Sequence, residues 1–442
     1  MQYEEAMTYL ANLTKFGFNF GLERVTELVR RLGNPHEKLR IIHVGGTNGK
    51  GSTLSMLASI LKSAGFRVGT FTSPHLHSYT ERFRIDDKKI SEERIARILT
   101  VLRPHLEAMV SEGFEHPTEF EVSTALAFQY FREEKVDFLV LEVGLGGLID
   151  STNIVDPLVS VITNVAMDHM DYLGHTLGKI ASIKAGIIKN NTPVVTASDN
   201  EEVLEVIKNT CMDRNAVLTV VGQDVQWEAM AKPVVCDNNF LGEQNFKVFG
   251  RLSVYDNLRI PLLGEHQLLN AATAVAAIEH LIEKGFPVSK ESIRCGLMKT
   301  RWPARLELIR KGPALVLIDG AHNHHGALSL RAALDKYFPE EGFVLVLGML
   351  ADKERAKVVS ELAPRARLVV VTKPNSDRAG EWGLVADAAK TFTREVRLVE
   401  NITEAVRLAL AEVKPCEIIC ITGSLYMVAE AREELLGASV DW

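Results

Sequence analysis

Short apolar runs rich in Val, Ile and Leu alternate along the chain with longer segments whose apolar residues recur every three or four positions. That alternation predicts parallel strands covered on both faces by helices. Buried strands are expected at 40–44, 67–71, 137–142, 158–163 and 193–196, and helices at 52–64, 92–109, 120–134 and 177–187. From 223 to 261 the segments are shorter and alternating, with Asn and Gly between them, which predicts a small β-rich addition. A helix is expected at 268–284. LMKTRWPARLE then has a Pro and no clear period, so a linker is expected near 296–303. A second series follows, with strands at 314–319, 343–347, 368–372, 396–399 and 417–422 alternating with helices. The fold class is therefore α/β. An N-terminal α/β domain over 1–296, with a mostly parallel sheet, precedes a smaller C-terminal Rossmann-like domain over 297–442.

At 442 residues the chain is about three times a single typical core, in keeping with two or three domains. Fifty Lys and Arg against 57 Asp and Glu leave a formal charge of −7, which argues against a chain built to coat nucleic acid or anionic lipid. Any anion must then be held by local devices. The five cysteines, at 211, 236, 295, 416 and 420, form no C-x-x-C pair and are too few to staple so long a chain, so a reducing compartment is expected. MQYEEAMTYL has no basic region before an apolar stretch, and no run approaches the length of a membrane span. A cytoplasmic protein with no nucleic-acid or membrane partner is expected. Without a coiled-coil heptad or a long exposed apolar stripe, monomer is the default.

The strongest local signal is RIIHVGGTNGKGSTLSML, in which a buried strand runs into a glycine-rich turn and then a helix. Glycines let backbone N–H groups approach an oligophosphate, Lys50 adds a point charge, and the helix opening near Ser52 adds its dipole. The strict G-x-x-x-x-G-K-[ST] pattern is not met: Val44 stands at its first Gly, and Gly51 separates Lys50 from Ser52.

Further chemistry collects just past other strand ends, where ligands gather in open α/β sheets. FTSPHLHSYTERF offers Ser73 and His75 to face phosphates. In FLVLEVGLGG, Glu142 is a carboxylate embedded in apolar residues, costly to bury without a metal or a cationic partner. VITNVAMDHMDYLG brings Asp168, His169 and Asp171 to the same edge. Lys184, in SIKAGIIK, reads by itself as a snorkelling surface lysine. In LVLIDGAHNHHG, Asp319 ends a strand and His322 and Asn323 follow, where a turn and a helix cap explain Asp319 and Asn323 about as well as catalysis does.

Taken together, GTNGKGS, TSPHL, EVGLGG with DSTN, TNVAMDH, KAGIIK, GEHQLLNAATA, RWPARLE, IDGAHN and GSLYMVAE resemble the folylpolyglutamate synthase family, whose bacterial members often also act as dihydrofolate synthases. The motifs stand in the family's order from residue 43 to about 432. The resemblance implies a two-domain ATP-dependent ligase. In it, ATP phosphorylates a carboxylate of a pterin-bearing substrate, folate or dihydropteroate, and the amino group of L-glutamate attacks the acyl phosphate. Gly46, Thr47, Asn48, Gly49, Lys50, Gly51 and Ser52 would cradle the ATP phosphates. Ser73, Glu142 and His169 would hold Mg2+, with two ions expected. Lys184 matches a lysine that is carbamylated, which reverses its surface reading. Asn270, Arg305 and Asp319 would complete the nucleotide site from the far side of a cleft whose glutamate side is the second domain, and His322 would lie near the reacting groups. Thr118, Phe120 and Glu121, with Asp150 and Ser151, would contact the substrate, an aromatic face and a carboxylate suiting a flat heterocycle.

The chain departs from the family pattern in three places: Leu148 replaces an Arg, Gly45 an Ala, and IDDKKI a Gly-containing turn. A muramyl-type peptide ligase shares the two-domain ligase plan. It would carry a nucleotide-sugar domain ahead of the loop, where only about 40 residues stand here. A P-loop nucleotide-switch binding protein would not need a second α/β domain bearing Asp319 and His322.

Overall fold

A computed structural model of the 442-residue chain describes residues 1–14, 17, 21–230, 242–339 and 342–437. Cys236 and the middle of the β-rich stretch, 231–241, lie outside the described residues. The chain divides into two units. One comprises Met1–Glu228, Phe246–Leu258 and Leu269–Thr300; the other comprises Ala229–Asn245, Arg259–Leu268 and Arg301–Trp442.

The first unit is organised on eight strands: β1 (Ile41–Gly45), β2 (Val68–Phe71), β3 (Phe83–Ile85), β4 (Lys88–Lys89), β5 (Phe138–Glu142), β6 (Val159–Ile162), β7 (Val194–Thr196) and β8 (Leu218–Val220). They lie in the order β4-β3-β2-β5-β1-β6-β7-β8. Six are parallel; β3 and β4 pair antiparallel at one edge. β1 is central and buried along its whole length, as a continuous apolar strand covered on both faces must be. Its register sets Val44 opposite Glu142 of β5 and Val161 of β6, so the loops leaving all three strands open at one edge. One face is filled by a large core around Phe71, Phe83, Phe128, Phe131, Leu99 and Leu102. A second cluster, around Val143, Ile162, Ile180 and Ile187, packs beneath the loops after β5 and β6.

IDDKKI, opaque from sequence, is the β3–β4 hairpin. Asp86 and Asp87 both have positive φ, 49° and 72°, as a tight two-residue hairpin turn requires. Asp tolerates that backbone, and Asp86 Oδ1 accepts the N–H of Val68 at 2.9 Å, so no glycine is needed.

Three strands, β9 (Gln226–Ala229), β10 (Gln244–Phe249) and β11 (Val254–Ile260), form a small sheet in the β-rich stretch. The second unit's main sheet contains β12 (Glu307–Lys311), β13 (Ala314–Ile318), β14 (Phe343–Leu347), β15 (Ala366–Val371), β16 (Val396–Leu398) and β17 (Ile418–Thr422), ordered β12-β13-β17-β14-β15-β16. All are parallel except β12, which pairs antiparallel with β13.

The linker expected near 296–303 is corrected in its first half. A helix capped by Ser289 spans Lys290–Lys299, and the break between units falls after Thr300. At Gly296 in this helix a Cβ would sit 2.4 Å from Cα of Ile60, so a close helix contact demands the glycine. The helix expected at 177–187 ends at Ala185. Among the described residues, no helix is long and apolar enough to cross a membrane.

Candidate functional site

The loop after β1 is shaped by glycine geometry. Gly46 and Gly49 have φ of 132° and 84°; a Cβ on Gly46 would lie 2.0 Å from Thr163 Oγ1, and one on Gly49 would lie 2.5 Å from Asn270 Oδ1. Both positions therefore exclude any side chain. The helix after the loop runs Lys50–Ser63 with Gly49 as N-cap, so Lys50 and Gly51 lie inside its first turn rather than before it. Gly49 has no side chain to cap the turn, which leaves helix N–H groups directed at the loop, an arrangement suited to phosphate. Lys50 folds back, its Nζ 3.2 Å from the carbonyl of Gly46 and 3.1 Å from that of Thr47.

Two residues absent from the expected site hold this loop from β6. Thr163 Oγ1 donates to the Asn48 carbonyl at 2.7 Å, while Asn164 takes the N–H of Thr47 on its carbonyl and that of Asn48 on Oδ1, both at 2.8 Å. Their signal was present in the TN of TNVAMDH at a strand end.

Glu142, the last residue of β5, is 5% exposed, and its Oε2 accepts the N–H of Ser73 at 3.1 Å. A buried carboxylate and a hydroxyl-bearing residue at neighbouring strand ends are the hard oxygen donors Mg2+ takes. His169 caps the short helix Met170–Leu173 with φ of 49°, and its Nε2 lies 3.9 Å from Asp168 Oδ1. Among the described residues, no three His, Cys, Asp or Glu side chains converge as a metal cluster, and Glu142 with the Ser73 hydroxyl is a donor set that suits Mg2+.

Lys184 is not a surface residue. It is 5% exposed, and its Nζ donates to the Gly46 carbonyl at 2.9 Å. Burial, and then the charge of Lys50, pull its amine down to about 7. Neutral amine, a nucleophile, is therefore abundant near neutrality.

The expected substrate contacts are used partly by the fold. Thr118 and Glu121 form a capping box at the start of the Glu119–Glu133 helix, and buried Arg24 sits 3.2 Å from the Glu121 carboxylate. Asp150 Oδ2 accepts from Leu145 N at 2.7 Å and Oδ1 from Thr152 N at 3.0 Å; burial raises its pKa. Ser151 Oγ lies 3.3 Å from Thr124 Oγ1. Phe120 is half-buried, its ring stacked 5.9 Å from Phe71 and lying over Gly144, where a Cβ would come 2.4 Å from Cζ. Of this group Phe120 is the one aromatic ring, and it is only partly buried. Leu148, in the same loop, is 51% exposed, while its backbone N–H is fixed on the Ile183 carbonyl at 2.7 Å.

In the second unit, Asp319 follows β13 and is buried, which raises its pKa against the pull of Arg305. Its oxygens accept the N–H groups of Leu306 and Ala321 at 2.9 and 2.8 Å. These bonds hold a segment in which Ala304 and Leu306 both have positive φ, strain that side-chain-bearing residues keep only when their surroundings impose it. Arg305 Nη1 donates to the Ala304 carbonyl, His322 Nδ1 lies 2.9 Å from the Gly320 carbonyl, and Asn323 caps the His324–Tyr337 helix. Asn270 belongs to the first unit, beside Gly49, with Gly46, Lys50 and Lys184.

A glycine-rich strand-to-helix loop in one α/β unit and a Rossmann-like second unit define an ATP-dependent ligase of the Mur type. Residues 44–278 match the Mur ligase middle domain and 304–425 the Mur ligase glutamate ligase domain. The chain is 37% identical over 437 residues to the dihydrofolate synthase/folylpolyglutamate synthase of Bacillus subtilis, covering 98% of this chain and 99% of that one. Among solved structures, Mycobacterium tuberculosis folylpolyglutamate synthase complexed with ADP superposes with a TM-score of 0.89 at 31% identity over 98% of this chain and 99% of that one. Escherichia coli FolC in complex with DHPP and ADP does so with 0.86 at 30% over 98% and 97%. The chain belongs to the folylpolyglutamate synthase/dihydrofolate synthase family.

Proposed function

We propose that this protein is an ATP-dependent ligase that adds L-glutamate to folates and to dihydropteroate through an acyl phosphate. The observation that carries the reading is the convergence of Lys50 and Lys184 on the Gly46 carbonyl of a loop that can bear no side chain at Gly46 or Gly49. Relatives named for both activities match over nearly the whole chain.

A carboxylate is a poor electrophile until one oxygen becomes a phosphate leaving group. The substrate carboxylate attacks the γ-phosphorus, the bond to the β-phosphate oxygen breaks, and ADP leaves. The glutamate amine then adds to the acyl carbon, giving up a proton, and inorganic phosphate departs. The transferring phosphoryl needs positive charge and N–H donors around it more than covalent help. The N–H groups of Gly49 to Ser52 and the Lys50 ammonium supply them, with Thr163 and Asn164 holding the loop. Mg2+, on Glu142 and Ser73 with His169, supplies further charge neutralisation when bound. Lys184 in neutral form adds to CO2 and gives up a proton to solvent, becoming a carbamate, an anion in place of a cation beside the loop. Phe120 provides the face for the pterin. Asn270 serves the nucleotide site from beside Gly49 and not from the far side of the cleft, while Arg305, Asp319 and His322 keep the roles that the resemblance implies. We take the protein as a cytoplasmic monomer.

The test is a mass-spectrometric assay with ATP, Mg2+ and L-glutamate, offering dihydropteroate in one tube and a reduced monoglutamyl folate in another. Gain of one glutamate by both is expected. Gain by the folate alone would restrict the enzyme to chain extension, and ATP consumption without either product would remove the pterin substrate.

A further inference from the structure

The residues after Ser73 have no part in the scheme above, yet they carry contacts that a mere connection does not need. Arg82 Nε donates to His75 Nδ1 at 3.1 Å. Arg82 is itself fixed: Nη1 donates to Glu119 Oε1 at 3.1 Å, and the guanidinium carbon lies 4.8 Å from the Tyr79 ring centre. Tyr79 donates to the same Glu119 oxygen at 3.0 Å and meets the His75 ring edge-on at 5.8 Å. The loop backbone is pinned by the buried Glu81 carboxylate, which accepts the N–H groups of Leu76 and Ser78 at 2.9 and 3.1 Å.

A guanidinium is a donor only and stays charged. At that distance Nδ1 must accept, because an imidazolium or an Nδ1–H tautomer would set proton against proton. The ring is therefore neutral with its hydrogen on Nε2. Among the described residues Nε2 has no hydrogen-bond partner, and it is not sealed from solvent. The loop leaves β2, which is separated from β1 by β5 alone. With strands about 4.8 Å apart, it opens about 10 Å along the sheet edge from the glycine-rich loop. A cation behind Nδ1 polarises Nε2–H toward an oxygen that bears negative charge.

We propose that His75 is a reactant-binding residue, a fixed Nε2–H donor to an anionic oxygen of the γ-phosphoryl group or of the substrate carboxylate, with Arg82 as the positioning residue that sets the tautomer. This rests on the ligase reading above. His75→Ala should lower kcat/KM about ten- to a hundredfold, the range for a lost hydrogen bond to a charged group. His75→Gln, whose amide nitrogen reaches the Nε2 position, should keep most activity; His75→Asn, which mimics Nδ1, should not. Arg82→Met should resemble His75→Ala, and the double variant should be no worse than either.

Titration calorimetry separates the two oxygens. Weaker binding of a non-hydrolysable ATP analogue by His75→Ala, with ADP unchanged, assigns the phosphoryl; weaker dihydropteroate binding, with both nucleotides unchanged, assigns the carboxylate. Unchanged affinity for all three ligands, or rescue by Asn equal to that by Gln, would overturn the proposal. If His75→Ala fails to fold, the imidazole 15N spectrum of the wild type decides, since an Nδ1–H ring or an imidazolium excludes it. A wild type that binds both ligands yet adds no glutamate would instead sink the ligase reading, which the titrations keep apart from His75.

Discussion

At the scale of the residue, the loop after β1 depends on missing atoms. Gly49→Ala must shift the backbone away from φ of 84° and push Asn270 from 2.5 Å. Nucleotide affinity should fall at least tenfold in titration while the circular-dichroism spectrum is unchanged; wild-type affinity would mean the loop does not hold the phosphates. Lys184 is governed by burial. Its amine, held down to about 7, is mostly ammonium below that pH, so activity should rise with pH through about 7 in bicarbonate-containing buffer. The folded state binds fewer protons at Lys184 than the unfolded chain between about 7 and the ordinary lysine value. Its contribution to stability therefore rises with pH across that window, and the slope of melting temperature against pH should flatten in Lys184→Met. Lys184→Ala should lose turnover and regain part of it with added formate or acetate, if a carbamate is what the site uses. No recovery would remove the carbamate.

At the scale of the element, strand ends and helix contacts do most of the positioning. Gly296 lets the Lys290–Lys299 helix lie against the Lys50–Ser63 helix, with Cα of Ile60 2.4 Å from a would-be Cβ. Gly296→Ala forces the two apart, and overpacking of this kind costs about 1–3 kcal/mol. Chemical denaturation should show that loss, with nucleotide affinity reduced as well because the displaced helix begins at Lys50. Unchanged affinity alongside reduced stability would show that the loop is set by Thr163 and Asn164 alone.

At the scale of the whole molecule, the second unit's part rests on Asp319. Asp319→Ala removes the acceptor of two backbone N–H groups beside the strained Ala304 and Leu306. Steady-state assays should show kcat reduced at least tenfold, although the residue is remote in sequence from Lys50; wild-type kcat would leave the second unit without a role in turnover. The exchange Asp319→Asn keeps one acceptor oxygen and separates the fold's need for that residue from the reaction's.

The alternation of apolar runs and helical periods placed β1, β2, β5, β6 and β7 and β13 to β17 to within two residues, because a strand buried on both faces can hardly be anything but continuously apolar, but it did not place β3, β4, β8 or β12. The glycine-rich loop was legible for the same kind of local reason: β1, the turn and the helix are contiguous. What contiguity could not supply was the use of each polar group. Glu121 and Asp150 read as substrate contacts, and nothing local told that their carboxylates also hold a helix cap and a loop. Lys184 read by itself as a surface lysine, because nothing in SIKAGIIK tells that its ammonium meets a carbonyl 138 residues away. Thr163 and Asn164 went unnoticed because their partners, Thr47 and Asn48, lie across the sheet. The antiparallel edge was hidden in IDDKKI, where two aspartates take the left-handed backbone that the eye seeks in glycine. Sequence by itself determined the class of fold, the strand order's raw material and the glycine-rich turn between β1 and its helix, since these follow from periodicity and from neighbours along the chain. The tertiary structure decided which backbone groups the Glu121 and Asp150 carboxylates hold, that Lys184 is buried, and that His75 Nδ1 faces the Arg82 guanidinium, since those depend on burial and on partners that only the folded chain brings together.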